Sequence, residues 1–283
     1  SSHSGNINAL QFHSFITMDK IQSSLLFQVS LIFLFNSLGY ACNVVANSII
    51  THHLPLELYG DFFCAWMSLG LISQVLIFGT TLSANTFLAS YHRKSDTHKK
   101  KSFIAWNIKL VTTAFINLSI VYLLFWIVAH ITHFTETVSF DKYHMAAFTA
   151  ILGPMLALST IFNNYVLTSG RPVLSAFMST AQFYFMKLLV FFCGFYFFIP
   201  RTELHLSLII MVYLFILMIF SVICYGFLPE NELINSISLL YSHKKDNKKA
   251  LKPYYTHHWM DISKASVLNT LVYSIATSAD IYV

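Results

Sequence analysis

Charge is what this sequence has least of. Of its 283 residues only 10% are Asp, Glu, Lys or Arg, 17 basic and 12 acidic, where a soluble domain carries about a quarter. So few ionic groups cannot solvate a secreted or cytosolic globular enzyme, keep a chain disordered, or build a nucleic-acid-binding module. Proline (six) and glycine (nine) are also scarce, which argues against barrels and loop-rich folds and for long helices. Cysteine is confined to Cys42, Cys64, Cys193 and Cys224, each inside an apolar run. They have no metal-ligand spacing and no readable disulfide framework. What is abundant is apolar: 56% of residues are hydrophobic and 16% aromatic, with mean hydropathy +0.62.

A helix needs about 20 mostly apolar residues to cross the hydrocarbon core of a bilayer. Six stretches qualify: Leu25 to Ile50, Phe62 to Ser90, Phe103 to Thr132, His144 to Ser169, Pro172 to Ile199 and Leu206 to Leu228. A seventh begins near Trp259 and stops at Val283. The spacing predicts an all-α polytopic membrane protein with four segments. Residues 1–20 form a polar N-terminal segment outside the fold, with Met18 a natural start. Residues 21–228 form a six-helix transmembrane bundle, 229–258 a basic linker, and 259–283 the start of a seventh helix, cut off where a second bundle would begin. Orientation follows from the cations. With the N-terminus cytoplasmic, the inside loops hold Lys20, Arg93, Lys94, Lys99, Lys100, Lys101, Arg171, Lys244, Lys245, Lys248, Lys249 and Lys252, and the outside loops only Lys142 and Arg201. The reverse topology would invert the positive-inside bias. The two basic loops could also meet anionic membrane lipids.

Polar side chains inside spans need partners or a hydrated cavity. Asn36, Tyr40, Asn43 and Asn47 share one face of the first span, and Gln74, Thr81 and Asn85 repeat the arrangement in the second. The fourth span has Thr160, Asn163 and Asn164 below a Gly153-Pro154 break. The fifth has Ser175, Ser179 and Gln182 on one side, and Thr180, Tyr184 and Lys187 on another. Each such residue, taken singly, reads as hydrogen-bonded glue between helices; coherent amide stripes on several helices also fit a shared cavity. Lys187 lies too deep to snorkel. It is either a cavity cation that meets an anionic substrate, or a lysine paired with a carbonyl or tyrosine inside the bundle. Lys109 is close enough to its span end to snorkel.

Acidic groups are scarce in the spans, Asp61 at an outer end and Asp280 in the truncated seventh, and the lack of a buried carboxylate in the first six disfavours a proton- or sodium-coupled antiporter. No phosphate-binding glycine loop, nucleophile elbow or thiol pair occurs. His52-His53 and His257-His258 read as interfacial, and Asn117-Leu118-Ser119 falls within a span, so its glycosylation pattern is fortuitous. No catalytic residue, metal site or cofactor is expected.

The first outside loop, Leu54-Pro55-Leu56-Glu57-Leu58-Tyr59-Gly60-Asp61-Phe62-Phe63, resembles the loop of bacterial polysaccharide flippases, where an acidic residue and Tyr-Gly lead into the second helix. Ser278-Ala279-Asp280-Ile281-Tyr282-Val283 is similar to a stretch in that family's seventh helix. The family-motif residues are therefore Glu57, Tyr59, Gly60 and Asp280. The resemblance runs from about Met18 and implies the N-terminal half of a member of the multidrug/oligosaccharidyl-lipid/polysaccharide exporter superfamily. It implies an O-antigen or capsule flippase of the bacterial inner membrane, moving undecaprenyl-diphosphate-linked oligosaccharide by alternating access. By position the substrate cavity would hold Lys187, Asn36, Asn43, Asn47, Gln74, Asn85 and Tyr184, with Lys187 meeting the pyrophosphate.

Two siblings compete: a multidrug/cation antiporter, which would need a buried acid, and a lipid II flippase, which would line its first bundle with more cations. A membrane-embedded glycan polymerase or acyltransferase would carry a large loop or a catalytic constellation, and the outside loops are short. A membrane scaffold would have no cavity between its helices.

Overall fold

Backbone amides in hydrocarbon have no water to bond, so each crossing segment must satisfy them internally as helix. The computed structural model describes residues 4–77, 80–133, 138–198, 202–229, 231–241, 258–264 and 272. Among the described residues there is no strand. The order is α1 (Ser4–His53), α2 (Leu56–Ile77), α3 (Thr80–Arg93), α4 (Thr97–Ile131), α5 (Val138–Ile151), α6 (Gly153–Thr168) and α7 (Pro172–Ala176). A π-helical segment (Phe177–Gln182) follows, then α8 (Phe183–Phe198), α9 (Glu203–Gly226) and α10 (Leu233–Tyr241). Among the described residues, six stretches are long and apolar enough to cross a membrane: Ser24–His53, Leu56–Ile77, Thr97–Ile131, Tyr143–Thr168, Pro172–Phe197 and Glu203–Gly226. The chain is thus an all-α, multi-pass membrane bundle, as its hydropathy predicts.

The boundaries have local causes. The expected second span, Phe62 to Ser90, overlaps α2 and α3, with residues 78–79 outside the described residues. Helix α4 starts ahead of Phe103 because Asp96 caps it, accepting the Lys99 backbone N–H at 3.1 Å. The Lys99 side chain also bonds that carboxylate and holds it below its usual pKa. The fourth span breaks at Leu152, and Pro154 sits in the first turn of α6, where its missing N–H leaves no helical bond unmade. Gly170, at φ +78°, and Pro172 turn the chain from α6 into α7 within three residues. Helix α1 begins at Ser4 and so includes residues 4–20 of the polar N-terminal segment.

Packing places helices beside partners distant in sequence. The fifth span lies along α1, α2 lies against α5 and α6, and α9 packs on α6 and α8. Short polar links tie helices to α6: Ser159 and the α9 residue Ser221 by hydroxyls at 2.7 Å, Asn107 Nδ2 of α4 donating to the Tyr165 hydroxyl at 2.6 Å, and Ser175 of α7 donating to Asn163 Oδ1 at 2.9 Å. Each such bond is worth about 1 kcal/mol or less in a membrane. One apolar cluster gathers Phe62, Phe191, Tyr213 and Leu214; another gathers Phe103, Trp106, Tyr165, Tyr225 and Trp259. Trp259 comes from the helical residues 258–264, beyond the linker. Its indole N–H donates to the Tyr91 hydroxyl at 3.1 Å.

Candidate functional site

The polar stripe of the first span faces the fifth. The two helices run parallel at a nearly constant offset: Asn36 opposes Thr180, Tyr40 opposes Tyr184, and Asn43 opposes Lys187. Asn36 Oδ1 accepts the Thr180 hydroxyl at 2.6 Å. Lys187 stands fifteen residues into the 26-residue span Pro172–Phe197, near its middle. Its ammonium donates to Asn43 Oδ1 at 3.0 Å and to Asn47 Oδ1 at 2.8 Å, and stands 4.8 Å from the centre of the Trp66 ring. The spacing of the two asparagines, i and i+4, presents both amide oxygens to one cation.

An ammonium has three donors and no acceptor. Two donors are taken by amides, and the ring quadrupole of Trp66 attracts the charge. The partners are side-chain amides and an indole. All are neutral, and Lys187 makes no ion pair with a described residue. The side chain is only 5% exposed, and its surroundings are dipoles and a ring quadrupole, which solvate a charge and do not cancel it.

Lys187 lines a cavity of about 470 Å³ between α1, α2, α6 and α8. Its walls carry Asn43, Asn47, Tyr59, Ser73, Gln74, Thr160 and Tyr184, with Phe62, Phe63, Trp66 and Phe183 as the aromatic surface. Among the described residues, no Asp or Glu lines it. Along α2 it runs from Tyr59 to Gln74, about 22 Å at 1.5 Å per residue.

The structure therefore brings together Lys187, Asn43, Asn47, Gln74 and Tyr184, and adds Tyr59 from the loop motif. Asn36 lies on the same helix face but is held by Thr180 and does not reach the cavity. Asn85 is exposed on α3, away from the cavity walls. Glu57 and Gly60 are exposed in the first turns of α2. Asp280 lies outside the described residues. Sequence reasoning missed Trp66 and its neighbours, although Tyr59, Phe62, Phe63, Trp66, Gly70, Ser73 and Gln74 recur at the three-to-four spacing of one helix face.

The π-helical segment was also not foreseen. It directly precedes α8 and so sets the rotation at which Lys187 leaves the helix; such segments concentrate at functional sites. Thr180 within it bonds both Asn36 and the Ala176 carbonyl. Gln182 closes it, buried, with neither amide atom hydrogen-bonded.

No protein-family model, curated protein or solved structure matches this chain.

Proposed function

We propose that this chain works in the bacterial inner membrane as part of a flippase for undecaprenyl-diphosphate-linked oligosaccharide, with the bundle described above forming one wall of the transport path. One observation carries the reading: a mid-span lysine faces a polar and aromatic cavity with no acid on its walls. A diphosphate is very costly to bring into a low-dielectric interior unpaired, and Lys187 offers the missing charge. Neutral amides hold the ammonium in place without competing for it as a carboxylate would. Asn47, Gln74, Tyr59 and Tyr184 offer hydrogen bonds for sugar hydroxyls, and Trp66 offers an aromatic face. The volume lies within the range of sites that take small ligands. Absence of acid from the walls also disfavours the multidrug/cation reading.

The test reads tryptophan fluorescence in the purified full chain with Trp106, Trp126 and Trp259 replaced by Phe, so that Trp66 in the cavity wall reports alone. Titration with undecaprenyl diphosphate is expected to change tryptophan fluorescence saturably, and undecaprenol to leave it unchanged. Lys187→Met should weaken binding about 10- to 100-fold, the worth of a hydrogen bond to a charged group, and Lys187→Arg should restore most of it. Equal binding by wild type and Lys187→Met, at matched melting temperature, would overturn the proposal. So would saturable binding of tetraphenylphosphonium in place of the diphosphate.

A further inference from the structure

A second cavity, of about 530 Å³, opens at the other end of the seam between α1 and the fifth span. Its walls include Gln28 and Phe35 of α1, Arg171, Leu174 and Phe177 at the start of the fifth span, and Leu228 after α9. Phe35 and Phe177 meet edge to face at 5.3 Å and form an apolar floor. Arg171 is exposed at the rim and forms no ion pair with a described residue. Its backbone is also fixed in place. Gly170 before it takes a left-handed conformation, Pro172 after it has a locked φ, and its carbonyl accepts the Ser175 N–H at 3.0 Å.

The position in the membrane identifies the occupant. By the distribution of Lys and Arg this end is cytoplasmic, where anionic headgroups concentrate. The surface of α1 beside the cavity is bare hydrocarbon: Leu25, Leu26, Phe27 and Val29 are all more than half exposed. A ligand here arrives from the leaflet, with an apolar chain to lay against Phe35, Phe177 and Leu228 and a head that reaches Arg171. A guanidinium binds phosphate oxygens through two parallel N–H bonds, and the Gln28 amide on the opposite wall adds a donor. The site is separate from the Lys187 cavity. Between them Gly39 packs so closely on the Thr180 backbone that a β-carbon would stand only 2.7 Å away, which closes the seam.

We propose that Arg171 and Gln28, above the Phe35–Phe177 floor, form a binding site for the phosphate headgroup of an anionic phospholipid in the cytoplasmic leaflet. The experiment is native mass spectrometry of the purified full chain, titrated with dioleoyl phosphatidylglycerol or dioleoyl phosphatidylcholine. Wild type should retain one phosphatidylglycerol in preference to phosphatidylcholine. Arg171→Gln should lose that molecule with about tenfold weaker binding, Arg171→Lys should retain part of it, and Lys187→Met should match wild type. Unchanged retention in Arg171→Gln would overturn the site, as would equal retention of the two lipids. Displacement by millimolar inorganic phosphate would overturn the lipid assignment. Preferential loss in Lys187→Met would mean that the lipid sits in the other cavity. Phe177→Ala, which removes floor and no charge, supplies a second reading and should weaken both lipids equally.

Discussion

Gly39 lies directly against the backbone of Thr180: a β-carbon on it would stand 2.7 Å from the threonine carbonyl carbon and 2.8 Å from its oxygen. A side chain could rotate away from such a contact, but a backbone cannot. Gly39→Ala is therefore expected to push α1 off the π-helical segment and lower the melting temperature, at a cost of about 1–3 kcal/mol, although alanine is the better helix former by about 1 kcal/mol. Gly60→Ala is the contrast, because nothing stands within 4 Å of its added carbon. It should be neutral or stabilising. Identical melting curves for the two variants would show that the seam is not packed this way.

Gln182 presents the opposite situation. The side chain is 2% exposed, and neither its amide nitrogen nor its oxygen has a hydrogen-bond partner among the described residues. Leaving such a group unmade costs about 1–3 kcal/mol, so Gln182→Leu is expected to raise the melting temperature in detergent. A fall would show that the amide serves a contact that forms only in another state of the protein.

Charge, more than shape, should control the Lys187 cavity. Asn43→Asp puts a carboxylate where the amide oxygen now stands, 3.0 Å from the ammonium, and turns a solvated cation into a neutral pair. The variant is expected to fold and to lose undecaprenyl diphosphate binding to the same degree as Lys187→Met, read by the same fluorescence titration. Binding at wild-type strength would disconnect the cavity's ligand from its lysine.

Trp259 ties the residues beyond the linker to the bundle. Its ring lies 5.3 Å from Phe103 and 5.7 Å from Trp106 by centroids. Removing a buried aromatic of this size costs about 3–5 kcal/mol, so Trp259→Ala should make the linker cleave faster under limited proteolysis. Tyr91→Phe, which removes the indole's acceptor and keeps the ring, should cost about 1 kcal/mol and change the cleavage rate far less.

Much of the fold was legible before any coordinates. Hydrophobic length identifies the spans, because about 20 apolar residues of helix match the bilayer core and a soluble domain has few such runs. The Asn36–Asn47 stripe and the depth of Lys187 follow from helical periodicity alone. The site was legible in part. Asn43, Asn47, Gln74, Tyr184 and Lys187 converge, but Asn85, equally plausible by spacing, is on α3 and turned away. Trp66 looked like one more aromatic in an apolar run. Nothing in Phe177–Gln182 announced a π-helical segment.

The sequence by itself determined that this chain is a multi-pass helical membrane protein, and that one lysine is stranded near the middle of its fifth span. Only the tertiary structure decided what that lysine meets: two asparagines about 140 residues earlier and an indole on α2. The reason is the solvent. In water, hydrophobicity separates the inner face of a helix from the outer; in lipid both faces are apolar, so composition reports depth but not neighbours. Which helices pair depends on close fits, such as Gly39 on Thr180, and on a few polar links. Those fits are made between residues far apart in the chain, and they exist only once the bundle has formed.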